Sequence, residues 1–184
     1  TLNQGIALKR RIIEDLRPSS LSNLGLVASL EILTREFADR SGVEIETFLE
    51  PVDLDEVSEL TIYRMVQEAL TNIGKYANAT KVIVRVKNYT YHAEVTVQDN
   101  GVGFDATRLP QASHGLVGMR HRVEASGGRL DINSRAGGGG SRITGTIPRA
   151  VPKPQSELAE SVGAMSSDSY KAPSPQTTAH DAAI

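Results

Sequence analysis

At Gly42 the spacing of apolar residues changes from a period near 3.6 to a period of 2, and the two periods then alternate as far as Pro148. Each change marks a switch between helix and strand. Before it, Leu26, Leu30, Leu33 and Phe37 recur at steps of four, three and four, a helical stripe that Gly42 is suited to end. After it, Val43, Ile45 and Leu49 alternate with Glu44, Glu46 and Glu50, as in a half-buried strand. From about Leu54 to Ala77 the helical period returns, with Ile62, Val66, Leu70 and Ile73 on one face. Val82, Val84 and Val86, then Ala93, Val95 and Val97, predict two strands joined by a turn at Asn88 to Tyr91. A glycine-rich loop, a short helix from about Leu116 to Ser126, and two more strands holding Leu130 and Ile132, then Ile143 and Ile147, complete the pattern. Strand, helix, two strands, loop and helix, two strands predicts an α/β (α+β) two-layer sandwich. Its hairpins require a mixed sheet with helices on one face, not a doubly wound parallel sheet.

Two segments flank this pattern. Leu2, Ile6, Ile13 and Leu16 predict an earlier helix, which Pro18 stops, with Ser19 to Asn23 as a connection. Beyond Pro148 the chain is rich in Ala, Ser, Pro, Thr and Gln without any period. Such a stretch cannot bury enough apolar surface to offset its entropy, so 151–184 is expected to be disordered, a short helix at Glu157 to Val162 aside. The expected organisation is a helical lead-in at 1–40, a folded domain at 41–150 and a tail at 151–184.

Composition narrows the chemistry. Hydrophobic residues are 39% but aromatics only 4%, with no Trp, so the core must be aliphatic. Twenty basic against 22 acidic side chains lack the basic excess that coating nucleic acid needs. Without cysteine there are no disulfides, thiolate metal sites or thiol nucleophiles, which fits a cytoplasmic setting. No apolar run approaches the roughly 20 residues that span a bilayer, so no membrane contact is expected of this segment, while an anchor elsewhere in a longer protein is compatible with it.

Four clusters carry candidate chemistry. In Glu68-Ala69-Leu70-Thr71-Asn72-Ile73-Gly74-Lys75-Tyr76-Ala77, a helix puts Glu68 and Asn72 on one face, opposite Leu70 and Ile73. A carboxylate, an amide oxygen and a nearby ammonium suit hydrated Mg²⁺ and phosphates; they equally suit a solvated surface. Asp99-Asn100-Gly101-Val102-Gly103-Phe104-Asp105 follows a strand. Asp99 can accept from an adenine amino group, and the glycines let backbone pass close to a flat ligand, or the segment is a tight turn. Ser113-His114-Gly115-Leu116-Val117-Gly118-Met119-Arg120 spaces glycines three apart at a helix start, exposing N–H groups to an anion or simply linking two elements. Gly137-Gly138-Gly139-Gly140-Ser141 is a flexible turn or a close backbone approach with a hydroxyl beside it. There is neither a GxGxxG dinucleotide fingerprint nor a Walker A lysine motif.

Taken in order, an Asn-bearing helix, an Asp-x-Gly-x-Gly strand end, a Gly-x-x-Gly helix start and a glycine loop with a hydroxyl resemble the ATP-binding fold of histidine kinases, gyrase, Hsp90 and MutL, the GHKL group. There the segments are the N box and three G boxes, here over 43–148. Leu16-Arg17-Pro18, Leu24-Gly25-Leu26, Gln67-Glu68-Ala69-Leu70-Thr71-Asn72 and Gly115-Leu116-x-Gly118-Met119-x-x-Arg122 further resemble the NarL-partnered sensor kinases. The resemblance implies that Leu2 to Arg40 is the end of a dimerising hairpin plus the lead into the ATP domain, the helix with the phosphorylated histidine lying outside this segment. None of His92, His114, His121 and His180 has that helical setting.

The resemblance also implies roles. Asn72 would ligate Mg²⁺, Glu68 would orient or accept a proton at the transfer site, and Lys75 would meet phosphate. Asp99 would read adenine in a pocket shaped by Gly101, Gly103 and Phe104. Gly115 and Gly118 would let a lid close, with His114, Leu116 and Met119 beside the nucleotide. Ser141 stands where the family more often has Thr, and Tyr76 where this class often has His. Gly74 inside the helix costs about 1 kcal/mol against Ala. The implied activity is transfer of the ATP γ-phosphoryl group to a histidine on the same full-length kinase, a homodimer, and then to a response regulator. A conformational ATPase of the gyrase or MutL kind and a non-catalytic nucleotide-binding or interaction module are the alternatives.

Overall fold

The computed structural model describes residues 17–105 and 114–149. The expected helix before Pro18 and the tail at 151–184 lie outside the described residues.

Helix α1 spans Ser19–Ser41, so the connection expected at Ser19 to Asn23 is helical. Pro18 sits at its N-cap in an extended conformation, and its carbonyl accepts from Ser22 N at 3.2 Å. Pro18, with no N–H to leave unpaired, therefore stands at the start of this helix. The break falls instead at Gly25 (φ 80, ψ 178). Gly42, left-handed at φ 70, caps the other end through a 2.9 Å bond to the Ala38 carbonyl.

Strand β1 (Glu44–Leu49) leads to α2 (Glu56–Asn72), where Asp55 is the N-cap, its Oδ1 accepting from Ser58 N at 2.8 Å. Arg17 clamps this end, donating to the Glu56 carbonyl (2.8 Å) and to Glu59 (3.2 Å). The helix expected to reach Ala77 changes character after Asn72: Ile73–Ala77 is a wider, π-helical turn. Gly74 lies in that turn, and a Cβ there would stand 3.1 Å from the Phe37 ring. What propensity loses at Gly74 is thus exchanged for close packing of α1 on the turn.

Strands β2 (Lys81–Asn88) and β3 (His92–Asp99), helix α3 (His114–Ala125), and strands β4 (Arg129–Ser134) and β5 (Ser141–Pro148) follow. The five-stranded sheet has the order β1-β2-β3-β5-β4. β1 and β2 are parallel and every other pair is antiparallel, so the mixed two-layer sandwich expected from the periods is what forms.

Valines 82, 84 and 86 face one way, paired with Asp99, Val97 and Val95, and all are buried. Ile62, Met65, Val66 and Ala69 of α2 and Met119 and Val123 of α3 cover that face, each at most 1% exposed. Each large aliphatic buried so contributes about 1.5–3 kcal/mol. The opposite face is polar, with Lys81, Arg85, Gln98, Arg142 and Asp131 in its rows. Among the described residues no helix is long and apolar enough to cross a membrane.

Candidate functional site

A cleft of about 440 Å³ opens where the C-terminal end of α2, the loop after β3, the start of α3 and the start of β5 converge. Glu68, Ala69 and Asn72 line it from α2, and Ile73, Lys75, Tyr76 and Ala77 from the wide turn. Gly103 and Phe104 contribute from the loop, Gly115 and Leu116 from α3, and Ser141 and Ile143 from β5. All four sequence clusters reach one cavity.

The cleft has two chemical characters. Glu68, Asn72 and Lys75 give it a polar wall; the helical spacing of the first two puts carboxylate and amide side by side. Ala69, Ile73, Ala77, Leu116 and Ile143 give it an apolar lining, with Tyr76 beside it and 72% exposed. Sequence reading placed Ile73 and Ile143 only in the core; their period is that of buried residues, and nothing in it shows that they border a cavity.

Asp99 stands behind this lining and is 4% exposed. One carboxylate oxygen accepts from Gly101 N at 2.7 Å, and the other accepts from the Ser141 hydroxyl. Ser141, in turn, lines the cleft. A buried charge needs such donors, and each oxygen keeps a lone pair for a further one. Asn100 is spent on structure: its Oδ1 accepts from Thr80 N and Lys81 N, both at 3.0 Å, locking the start of β2.

The two glycines after Asp99 serve protein backbone before any ligand. A Cβ on Gly101 would lie 2.1 Å from the Ala77 carbonyl oxygen, and one on Gly103 (φ 65) would lie 2.1 Å from the Arg135 carbonyl oxygen. Of the pair, Gly103 reaches the cleft. The four-glycine loop folds onto the same segment, with Gly138 N on the Val102 carbonyl (3.0 Å) and Gly140 N on the Gly101 carbonyl (2.9 Å). Ser134, which sequence reading did not select, ties them together. Its hydroxyl accepts from Phe104 N at 2.8 Å and approaches the Gly140 carbonyl at 3.3 Å. A hydroxyl at a strand end before a glycine run was the one available signal.

At α3 the expectation divides. His114 is its first residue, its side chain lying outside what the structure describes. Gly115 and Leu116 line the cleft. Met119, expected beside the nucleotide, is 0% exposed in the core, because its helix phase points it at α2 and the sheet. Gly118 is likewise absent from the cleft lining, and a Cβ there would stand 3.2 Å from the Arg122 guanidinium.

Among the described residues no three His, Cys, Asp or Glu side chains cluster as a metal site. A cation at Asn72 would take its remaining ligands from water and a bound polyanion, an arrangement that suits Mg²⁺. A second depression, at Asp131, Asn133, Ser134, Arg142 and Thr144, lies on the polar face of the sheet. Its charged groups are already engaged, Arg142 with Gln98 and Asp131 with Arg129.

Residues 57–151 match the sequence profile of the family described as histidine kinase-, DNA gyrase B-, and HSP90-like ATPase. The sensor histidine kinase MctS of Rhizobium johnstonii is 35% identical over 166 residues, covering 86% of this chain and 35% of that protein. The signal transduction histidine-protein kinase/phosphatase DegS of Brevibacillus brevis is 36% identical over 146 residues, covering 75% and 36%. The chain thus spans about a third of the length of these two relatives. In fold it resembles the histidine kinase domain of a blue-light activated kinase from Erythrobacter litoralis, with TM-score 0.56, 21% identity and coverage of 66% and 59%. It also resembles the Acinetobacter baumannii histidine kinase AdeS, with TM-score 0.55, 21% identity and coverage of 80% and 81%.

Proposed function

The chain belongs to the histidine kinase-, DNA gyrase B-, and HSP90-like ATPase family, and from that premise we propose that its cleft binds Mg²⁺·ATP and presents the γ-phosphoryl group to a histidine elsewhere in a sensor kinase. The observation that carries the reading is the convergence of Glu68, Asn72 and Lys75 with Ser141, backed by buried Asp99, on one partly apolar cavity.

The apolar lining suits a flat base, whose amino group the Asp99–Ser141 pair can accept; Lys75 meets phosphate charge. Asn72 would hold Mg²⁺, which when bound would supply charge neutralisation at the phosphate oxygens. A neutral imidazole nitrogen forms the N–P bond as the bond from γ-phosphorus to the bridging oxygen breaks and ADP leaves. Glu68 orients the imidazole or takes its proton. The protein's contribution is positioning and charge. The phosphoryl group then passes to an aspartate of a response regulator, the kinase acting as a homodimer in the cytoplasm. On this reading 41–150 is the ATP domain, and α1 belongs to the lead into it.

Titration with a fluorescent ATP analogue, with and without Mg²⁺, tests the site. Binding that saturates, weakens in Asp99→Asn and loses its Mg²⁺ dependence in Asn72→Ala is the expected result. No binding by the parent chain at millimolar analogue while its circular dichroism shows a folded domain refutes the reading. With the acceptor helix supplied, phosphohistidine is expected; inorganic phosphate released without it would instead mark Glu68 as activating water, as in the gyrase-type alternative.

A further inference from the structure

The C-terminal part of α2 and the first turn of α3 meet at the Glu68 carboxylate. A Cβ added to Gly115 would lie 1.9 Å from Oε1 of Glu68, 2.8 Å from its Cδ and 3.4 Å from its Cγ. The helix carrying Gly115 resists displacement more than the end of the Glu68 side chain does, because Leu116, Met119 and Val123 are 8%, 0% and 0% exposed in the core shared with α2. Interiors of this kind resist displacement of backbone more than of a flexible side-chain end. An added methyl group would therefore move the Glu68 carboxylate and leave α3 in place.

We propose that Gly115 is a positioning residue for Glu68: the empty Cβ position is the seat of the carboxylate, and α3 thereby fixes the rotamer with which Glu68 faces the reacting phosphate. The proposal rests on the reading that Glu68 serves phosphoryl transfer. It differs from a role for Gly115 as a lid hinge or as a backbone N–H on phosphate, since either of those would act whether or not Glu68 were present. It also makes Glu68 responsive to α3. Any shift of the first turn of that helix opens or closes the seat, so the same glycine couples the position of α3 to the polar wall of the cleft.

The test is a double-mutant cycle over the parent chain, Gly115→Ala, Glu68→Ala and the double variant. The side-chain carboxyl ¹³C resonance of Glu68 is followed without nucleotide, affinity with a fluorescent ATP analogue and Mg²⁺, and transfer with the histidine-bearing helix supplied in trans. In Gly115→Ala the Glu68 resonance moves and, at nucleotide concentrations that saturate the variant, transfer falls at least about tenfold, the scale of a misplaced proton-handling group. In the Glu68→Ala background, Gly115→Ala causes no further loss. An unmoved resonance overturns the proposal, as does an equal loss of transfer with Glu68 already removed. If the parent chain binds the analogue but transfers nothing, the kinase reading fails, and the resonance alone still decides whether Gly115 seats Glu68.

Discussion

Replacing Gly101 by alanine tests how the loop after β3 is held against the wide turn that ends α2. The new Cβ would lie 2.1 Å from the Ala77 carbonyl oxygen, 2.8 Å from its carbon and 2.9 Å from the Ala77 Cβ. Gly101 is not one of the positive-φ glycines, so alanine can take its backbone angles and the penalty is steric alone. The carbonyl cannot turn aside without giving up the 2.8 Å bond it accepts from Val102 N. Overpacking costs about 1–3 kcal/mol and the lost hydrogen bond about 0.5–1.5 kcal/mol. The sum is about 1.5–4.5 kcal/mol, which at roughly 3 °C per kcal/mol lowers Tm by about 5–14 °C. Thermal unfolding followed by far-ultraviolet circular dichroism reads this directly, with urea unfolding showing a lower midpoint and an unchanged m value. Because Lys75 and Tyr76 ride on the displaced turn, affinity for an ATP analogue should fall as well. A Tm within about 3 °C of the parent would refute the reasoning, since the two backbones would then have room to part.

Asp99→Asn keeps the shape of the buried carboxylate but puts a donor where an acceptor is needed; affinity for an ATP analogue should fall by about 1–3 kcal/mol, roughly five- to 160-fold, by calorimetry or fluorescence. Asp55→Ala removes the α2 N-cap and should cost about 1 kcal/mol in urea unfolding, with analogue affinity nearly unchanged. Lys81 has its pKa raised above 10.5, chiefly by its hydrogen bond to Glu46, with burial opposing. A raised folded pKa contributes stability below 10.5 that is lost as pH climbs through the folded value. The Tm difference between the parent and Lys81→Gln should accordingly shrink toward zero in strongly alkaline solution, and a difference that persists there would contradict the assignment.

The element order was legible because the two periods, 3.6 and 2, report which face of each element is buried, and burial decides the layers. That Glu68, Asn72, Lys75 and Ser141 border one cleft was legible from the order of the four motifs and the family it resembles, each motif by itself fitting a surface or a turn as well. What sequence did not disclose depends on contacts between distant segments. The wide turn at Ile73–Ala77 continues a helical pattern in sequence, and the close approach of Phe37 to Gly74 within it joins segments far apart in the chain. Gly101 and Gly103 read as room for a ligand, yet their neighbours are the Ala77 and Arg135 carbonyls. Met119 sits in a motif rich in site residues, but helix phase, not motif membership, decides which way it faces. A connection is expected at Ser19 to Asn23 because Pro18 stops a helix before it; the backbone bends at Gly25 instead.

The sheet order places β3 in the middle, paired on both sides, and Asp99 is its last residue. Central strands open only with the whole domain, whereas the ends of short peripheral helices open locally at far smaller cost. The amide protons around Asp99 should therefore be among the slowest to exchange with solvent, and those at the start of α3 much faster. The cleft would then have a fixed jaw that recognises the base and a yielding jaw beside the phosphates. Such a division lets a spent nucleotide leave through fluctuations of one side, without melting the strand on which the other is built.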